Sequence, residues 1–255
     1  MLRSEQRTIG SAMTRGTYVA AVLALGLLYP ARARATEAPC DVADLAVATF
    51  PVPPQSATAY RRAQQIGDMA GRTRDADAAL LGDSLTQLWP DSSVQEVFGP
   101  NVLNLGVGGD RTQNVLWRLQ DERYARLSPR TVFLMIGTNG LGSGDKTCAI
   151  REGIRRIVER IDTLWHKPFL VVVGILPRGR KSSFRDAERV SLNGEVRGLL
   201  RERGHAVMVD AAEAALRCEE DQCASFTPDM VHLAPPGYAA LGAAVRSALD
   251  AAKTP

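Results

Sequence analysis

Histidine is scarce in this chain: His166, His205 and His232 are the only three in 255 residues. Base catalysis by an imidazole therefore has few places to occur. Long apolar runs are also missing. The stretch YVAAVLALGLLY at residues 18–29 is too short for a comfortable membrane span. The glycine cluster NLGVGGDRT does not complete a dinucleotide fingerprint, because Arg111 stands where the third glycine of Gly-x-Gly-x-x-Gly belongs. Cysteine is limited to residues 40, 148, 218 and 223. A zinc site from Cys218, Cys223 and His232 has no obvious fourth ligand and no second close pair. There are no internal repeats or low-complexity tracts.

The amino-terminal region has the layout of a secretory signal peptide. Arg3, Arg7 and Arg15 precede the apolar run, and Ala33-Arg34-Ala35 offers a small-x-small cleavage site. The reading is a leader over 1–35, an extended proline-rich segment over 36–56 (FPVPPQSA at its end) and one catalytic domain over 57–255. Removing the leader's five arginines and Glu5 from 31 basic and 28 acidic residues leaves 26 and 27. The basic excess belongs to the leader, so nothing global suggests a nucleic-acid partner. The expected location is the periplasm or the exterior, with no stable membrane span after processing. In an exported chain an even number of cysteines suggests two disulfides, with three pairings open. Cys218 and Cys223, flanking EEDQ, can close a local loop, which would leave 40–148.

Apolar, β-branched runs at 78–81, 101–107, 131–136, 169–176 and 206–210 alternate with helical stretches. Ile150, Ile154, Ile157, Ile161 and Leu164 recur at spacings of three and four and mark one face of a helix. Residues 184–203 and 235–252 behave similarly. Strands alternating with helices predict a three-layer α/β domain on a five-stranded, mostly parallel sheet. In such sheets sites form beyond the carboxyl ends of the strands. There the chain carries Gly82-Asp83-Ser84, Gly108-Gly109-Asp110, Gly137-Thr138-Asn139, "PRGRK" with Arg178, and "TPDMVHL" with Asp229 and His232.

Each motif alone has a structural explanation, as a cap or a turn; together they are chemically complementary. A serine hydroxyl needs a base to become a nucleophile, and histidine suits that task near neutral pH. His166 and His205 read as structural or solvated, whereas His232 has Asp229 three residues earlier. Asp229 can orient the imidazole toward Ser84. Gly109 and the Ser84 backbone can bring N–H groups to an oxyanion, and Asn139 a neutral amide. The Gly-x-Ser-x-Gly elbow of α/β-hydrolases is absent, because Thr86 stands where its second glycine would. Trp89 and Trp117 read as packing residues rather than sugar platforms.

"LGDSLTQLW", "NLGVGGDRTQNVLWRL", "MIGTNGLGSGD", "GILPRGR" and "DMVHL" appear in an order that resembles the SGNH, or GDSL-type, hydrolases. Within them the chain looks most like the catalytic subunits of platelet-activating factor acetylhydrolase Ib and their bacterial relatives. The resemblance, over about residues 78–245, implies a flavodoxin-like SGNH hydrolase fold and no metal or organic cofactor. It implies Ser84 as nucleophile, Asp229 and His232 as its partners, and Gly109 and Asn139 with Ser84 as oxyanion donors. The expected activity is a serine esterase acting on short esters, acetyl above all, of a lipid or carbohydrate. Asp83 and Arg178 are the candidate substrate contacts. The export signal and the cysteines depart from the intracellular acetylhydrolase subunits.

Overall fold

The computed structural model describes residues 39–253, so the expected leader at 1–35 lies outside the described residues. Helices α1 (Val42–Thr49) and α2 (Ala57–Arg72) precede strand β1 (Asp75–Gly82). One turn of helix, α3 (Ser84–Gln87), and α4 (Asp91–Phe98) lead to β2 (Val102–Gly106). Then come α5 (Thr112–Arg118), β3 (Ser128–Met135), α6 (Thr138–Gly142), α7 (Thr147–Trp165) and β4 (Phe169–Val173). The chain continues with α8 (Asp186–Arg201), β5 (Ala206–Val209), α9 (Ala211–Leu216) and α10 (Pro235–Lys253).

All the pairings in the five-stranded sheet are parallel, in the order β2-β1-β3-β4-β5, the flavodoxin-like arrangement expected. Strand alternation divides the core into two. Ala79, Leu81, Val132 and Leu134 pack under α2, α5, α7 and α8, while Ala78, Leu80 and Phe133 pack under α4, α9 and α10. The isoleucine stripe of α7 lies in the first core as its spacing predicted, with Ile157 and Ile161 fully buried. Trp89 is 1% exposed and stacked on Tyr238, a packing residue as expected.

Register places the site. Gly82 is level with Gly106 on one side and Met135 on the other, so the loops after β1, β2 and β3 leave the sheet at one height. β1 is also where the order reverses, which opens a crevice between the flanking crossovers.

The expectation of an extended segment over 36–56 needs correction, because residues 42–49 form a helix. Apart from Pro39, the prolines of this segment lie at 51, 53 and 54, and upstream of them Asp41 and Asp44 make a reciprocal capping box that starts α1. This arm is fastened by a Cys40–Cys148 disulfide and a Lys146–Asp44 ion pair at 2.6 Å. The Thr112 hydroxyl also donates to the Ala48 carbonyl at 2.7 Å. The second disulfide joins Cys218 and Cys223, so the zinc alternative falls: both its thiols are bonded to each other.

Candidate active site

The β1–α3 turn is built to hold a hydroxyl at the sheet edge. A side chain at Gly82 would come within 2.1 Å of Thr86 Oγ1 and 2.4 Å of the Met135 carbonyl oxygen, so only glycine lets the turn close here. Asp83 follows as the cap of α3, its Oδ1 accepting the Leu85 N–H at 2.9 Å. Ser84 is then the first residue of the helical turn. From α10, the Tyr238 hydroxyl donates to the Leu85 carbonyl at 2.9 Å in a buried setting. Tyr238→Phe should cost about 1 kcal/mol, a fall of about 2–4 °C in thermal midpoint. Identical melting curves would show that this bond does not support the turn.

Asp83 does not occupy the position expected of a substrate contact. It is 1% exposed, and its Oδ2 is buried without a hydrogen-bond partner among the described residues. The cap geometry turns the carboxyl inward. Burial pushes its pKa up to about 7; neighbouring Asp110 adds to the rise, and the Leu85 N–H, His232 and Arg178 oppose it.

The candidate base, His232, sits in the loop before α10. His232 Nε2 lies 2.9 Å from Ser84 Oγ, and His232 Nδ1 lies 2.6 Å from Asp229 Oδ2. With Nδ1–H donating to the carboxylate, Nε2 is left to accept the serine proton. Asp229 Oδ1 accepts the backbone N–H groups of Val231 and His232 at 2.9 and 3.0 Å and the Thr227 hydroxyl at 2.8 Å. Burial alone would raise the Asp229 pKa, but these donors and the imidazole outweigh it and hold the carboxyl well below its usual range. Asp229 therefore stays ionised across any working pH. The loop is tight enough to force Met230 to φ +54°, a conformation a side chain rarely takes and one that accumulates at functional sites. The other two histidines lie elsewhere: His166 ends α7 in a left-handed conformation, and His205 accepts from Arg203 Nε at 3.0 Å.

Two loops face Ser84 from the other strands. Gly109 has φ +81° with open space where a Cβ would project, so backbone conformation rather than crowding calls for glycine. Among the described residues neither the Gly109 nor the Ser84 N–H is given an acceptor within the chain. Asn139, near the start of α6, donates one amide hydrogen to the Asp110 carbonyl at 3.0 Å. That bond fixes the amide plane and leaves its second N–H to be used.

The sequence reading did not anticipate what stands behind these loops. Arg118 and Asp110, both about 1% exposed, form an ion pair at 2.9 Å. Arg118 also donates to the Leu105 and Gly82 carbonyls at 3.0 and 3.4 Å, tying the ends of β1 and β2 to the loop that carries Gly109 and Asp110. The signal was an acid and a base eight residues apart in GGDRTQNVLWR, which spacing alone does not pair. Thr227 was likewise missed. Arg178, expected near substrate, lies half-buried with Nη1 donating to Thr138 Oγ1 at 3.1 Å, beside Asn139.

Fold and site together define an α/β protein with a hydroxyl–imidazole–carboxylate array at the carboxyl edge of its sheet. The particular family follows from comparison: residues 80–240 match the GDSL-like Lipase/Acylhydrolase family, and the chain belongs to it. It is 30% identical over 180 residues to the human platelet-activating factor acetylhydrolase IB subunit alpha1, covering 70% of this chain and 77% of that protein. A GDSL-like lipase of Bacteroides thetaiotaomicron superposes with a TM-score of 0.58 at 19% identity, over 76% of this chain and 98% of the other. An acetyl-xylooligosaccharide esterase of Geobacillus stearothermophilus gives 0.55 at 17% identity, over 70% and 96%.

Proposed function

We propose that the chain is an exported serine esterase that removes short acyl groups, acetyl above all, from a lipid or carbohydrate. The observation that carries this reading is the relay from Ser84 Oγ to His232 Nε2 at 2.9 Å and from His232 Nδ1 to Asp229 at 2.6 Å. Ser84 Oγ attacks the ester carbonyl while His232 Nε2 takes its proton; Asp229, ionised throughout, steadies the resulting imidazolium. The carbonyl oxygen becomes an oxyanion that the Ser84 and Gly109 N–H groups and the free Asn139 amide hydrogen stabilise. Collapse expels the alcohol, which receives its proton from His232. Water then repeats the sequence on the acyl-enzyme and releases the acid.

Support for a short acyl group comes from the relatives, one named an acetylhydrolase and one an acetyl-xylooligosaccharide esterase. Export is supported by the two disulfides, bonds that persist in oxidising compartments. Rates on p-nitrophenyl acetate, butyrate and palmitate test the acyl preference: kcat/KM should fall steeply with length. A maximum at palmitate would instead mark a lipase or thioesterase, and no turnover of any ester would end the reading. Asn139→Ala should lower kcat by about 10²–10³, the scale of one oxyanion donor. A loss of only a few-fold would take Asn139 out of that role.

A further inference from the structure

The loop after β4 reads PRGRKSSFR at residues 177–185, with Arg178, Arg180, Lys181 and Arg185 and no acid. Its backbone is held in an unusual shape. Gly179, Lys181, Ser182 and Arg185 all have positive φ, between +46° and +77°. For three residues with side chains this conformation is unfavourable and persists only where the surroundings enforce it. The surroundings are on the page. Gly179 N–H donates to the Met230 carbonyl at 2.8 Å, and Lys181 N–H to the Glu220 carbonyl at 2.9 Å. Ser182 Oγ accepts the Cys218 N–H at 2.8 Å. The loop is thus bolted to the 218–223 disulfide loop and to the residue next to Asp229.

Arg178 reaches Thr138, the neighbour of Asn139, while the next residue, Gly179, bonds the residue next to Asp229. Beyond its bond to Thr138, its guanidinium lies 4.3 Å from the centre of the Phe184 ring. Among the described residues no carboxylate comes within ion-pair distance of it, although Arg111, Arg118, Arg185 and Arg189 each hold one. Arg180 and Lys181 are exposed and likewise carry no ion pair among the described residues. The disulfide-loop acids Glu219, Glu220 and Asp221 form no ion pair with them among the described residues, and Glu219 faces Arg217 at 3.6 Å. The carboxyl whose charge acts on half-buried Arg178 is Asp83, beneath the surface and beyond ion-pair distance, so the guanidinium keeps donors available to an arriving anion.

We infer that Arg178, with Arg180 and Lys181 at the rim, forms a subsite for an anionic group, a carboxylate or phosphate, on the alcohol side of the ester. The inference rests on the esterase reading and specifies its substrate class: acetylated molecules that carry a negative charge near the ester. Arg178 offers a planar set of donors suited to such oxygens, and the lysine adds a point charge.

The test compares two small esters of nearly the same shape, 4-acetoxybenzoate and 4-acetoxybenzamide. The full-length mature enzyme should have the higher kcat/KM on the anion, and the preference should shrink as salt rises. In Arg178→Met the anion-to-amide ratio of kcat/KM should fall about 10- to 100-fold, the scale of a charge-assisted hydrogen bond. The change should lie mainly in KM, with part of the ratio restored in Arg178→Lys. Should Arg178→Met fail to fold, Arg180→Gln combined with Lys181→Gln should lower the same ratio in the folded enzyme. Equal losses on both esters would make Arg178 a support for α6 and overturn the subsite, as would a wild-type enzyme indifferent to the charge. Hydrolysis of neither ester would sink the esterase reading itself. Acetylated galacturonate and acetylated glycerol phosphate then separate the carboxylate of a glycan from the phosphate of a headgroup; neutral acetylated xylose turned over as well as either would overturn the inference.

Discussion

Ser84→Ala should lower kcat on p-nitrophenyl acetate by about 10⁶, and His232→Ala should reach nearly the same floor. The double variant should be scarcely worse than either single one, because nucleophile and base act as one unit: an imidazole with nothing to deprotonate contributes no more than a hydroxyl with no base. Asp229→Ala should cost less, about 10⁴, since a neutral imidazole retains some basicity without its orienting carboxylate. The residual rate in all of these would come from the oxyanion donors: Gly109 and Asn139 follow β2 and β3, and residue 84 keeps its backbone N–H as alanine. The Ser84 side chain contributes one hydrogen bond, to His232, so melting curves should move little and separate lost chemistry from lost structure. A Ser84→Ala enzyme that keeps more than a hundredth of the wild-type rate would mean that another group performs the attack.

The parallel sheet could be read from the sequence because β-branched runs and the α7 isoleucine stripe report burial directly; its order came only from the family resemblance. The candidate site could be proposed because a serine, a histidine and a carboxylate are complementary residue types, and the fold brings Ser84, His232 and Asp229 together. What escaped was set by contacts that spacing does not encode. The capping box of Asp41 and Asp44 is a local signal, but the prolines ten residues on drew attention to an extended segment instead. Arg118 looked like any helical arginine; only the turn of α5 beneath the β2 loop brings it to Asp110 and to the Gly82 carbonyl. Asp83 looked available to substrate because it adjoins the nucleophile. Its side chain instead caps the first turn of α3, and capping carries it beneath the surface.

That burial has a measurable consequence. The Asp83 carboxyl titrates at about 7 in the folded chain against an ordinary value of 3.8. As pH rises, the unfolded chain loses this proton first, so the group's contribution to stability is complete below about pH 4 and is lost by the time pH passes about 7. At about 1.4 kcal/mol per unit, a rise of about three units is worth about 4 kcal/mol. Asp110 adds to that rise, and burial raises its own carboxyl to about 6 against the pull of Arg118. Asp83→Asn keeps an oxygen to accept the Leu85 N–H but cannot ionise. Whatever its stability at pH 4, the variant should gain on the wild type by about 4 kcal/mol between pH 4 and 8, measured by urea unfolding at both pH values. A difference that stays constant with pH would mean that the carboxyl does not titrate in this range. If it does, a destabilising charge develops one residue from Ser84 and within electrostatic reach of His232, so the ionisation that loosens the fold also sets the charge behind the candidate site.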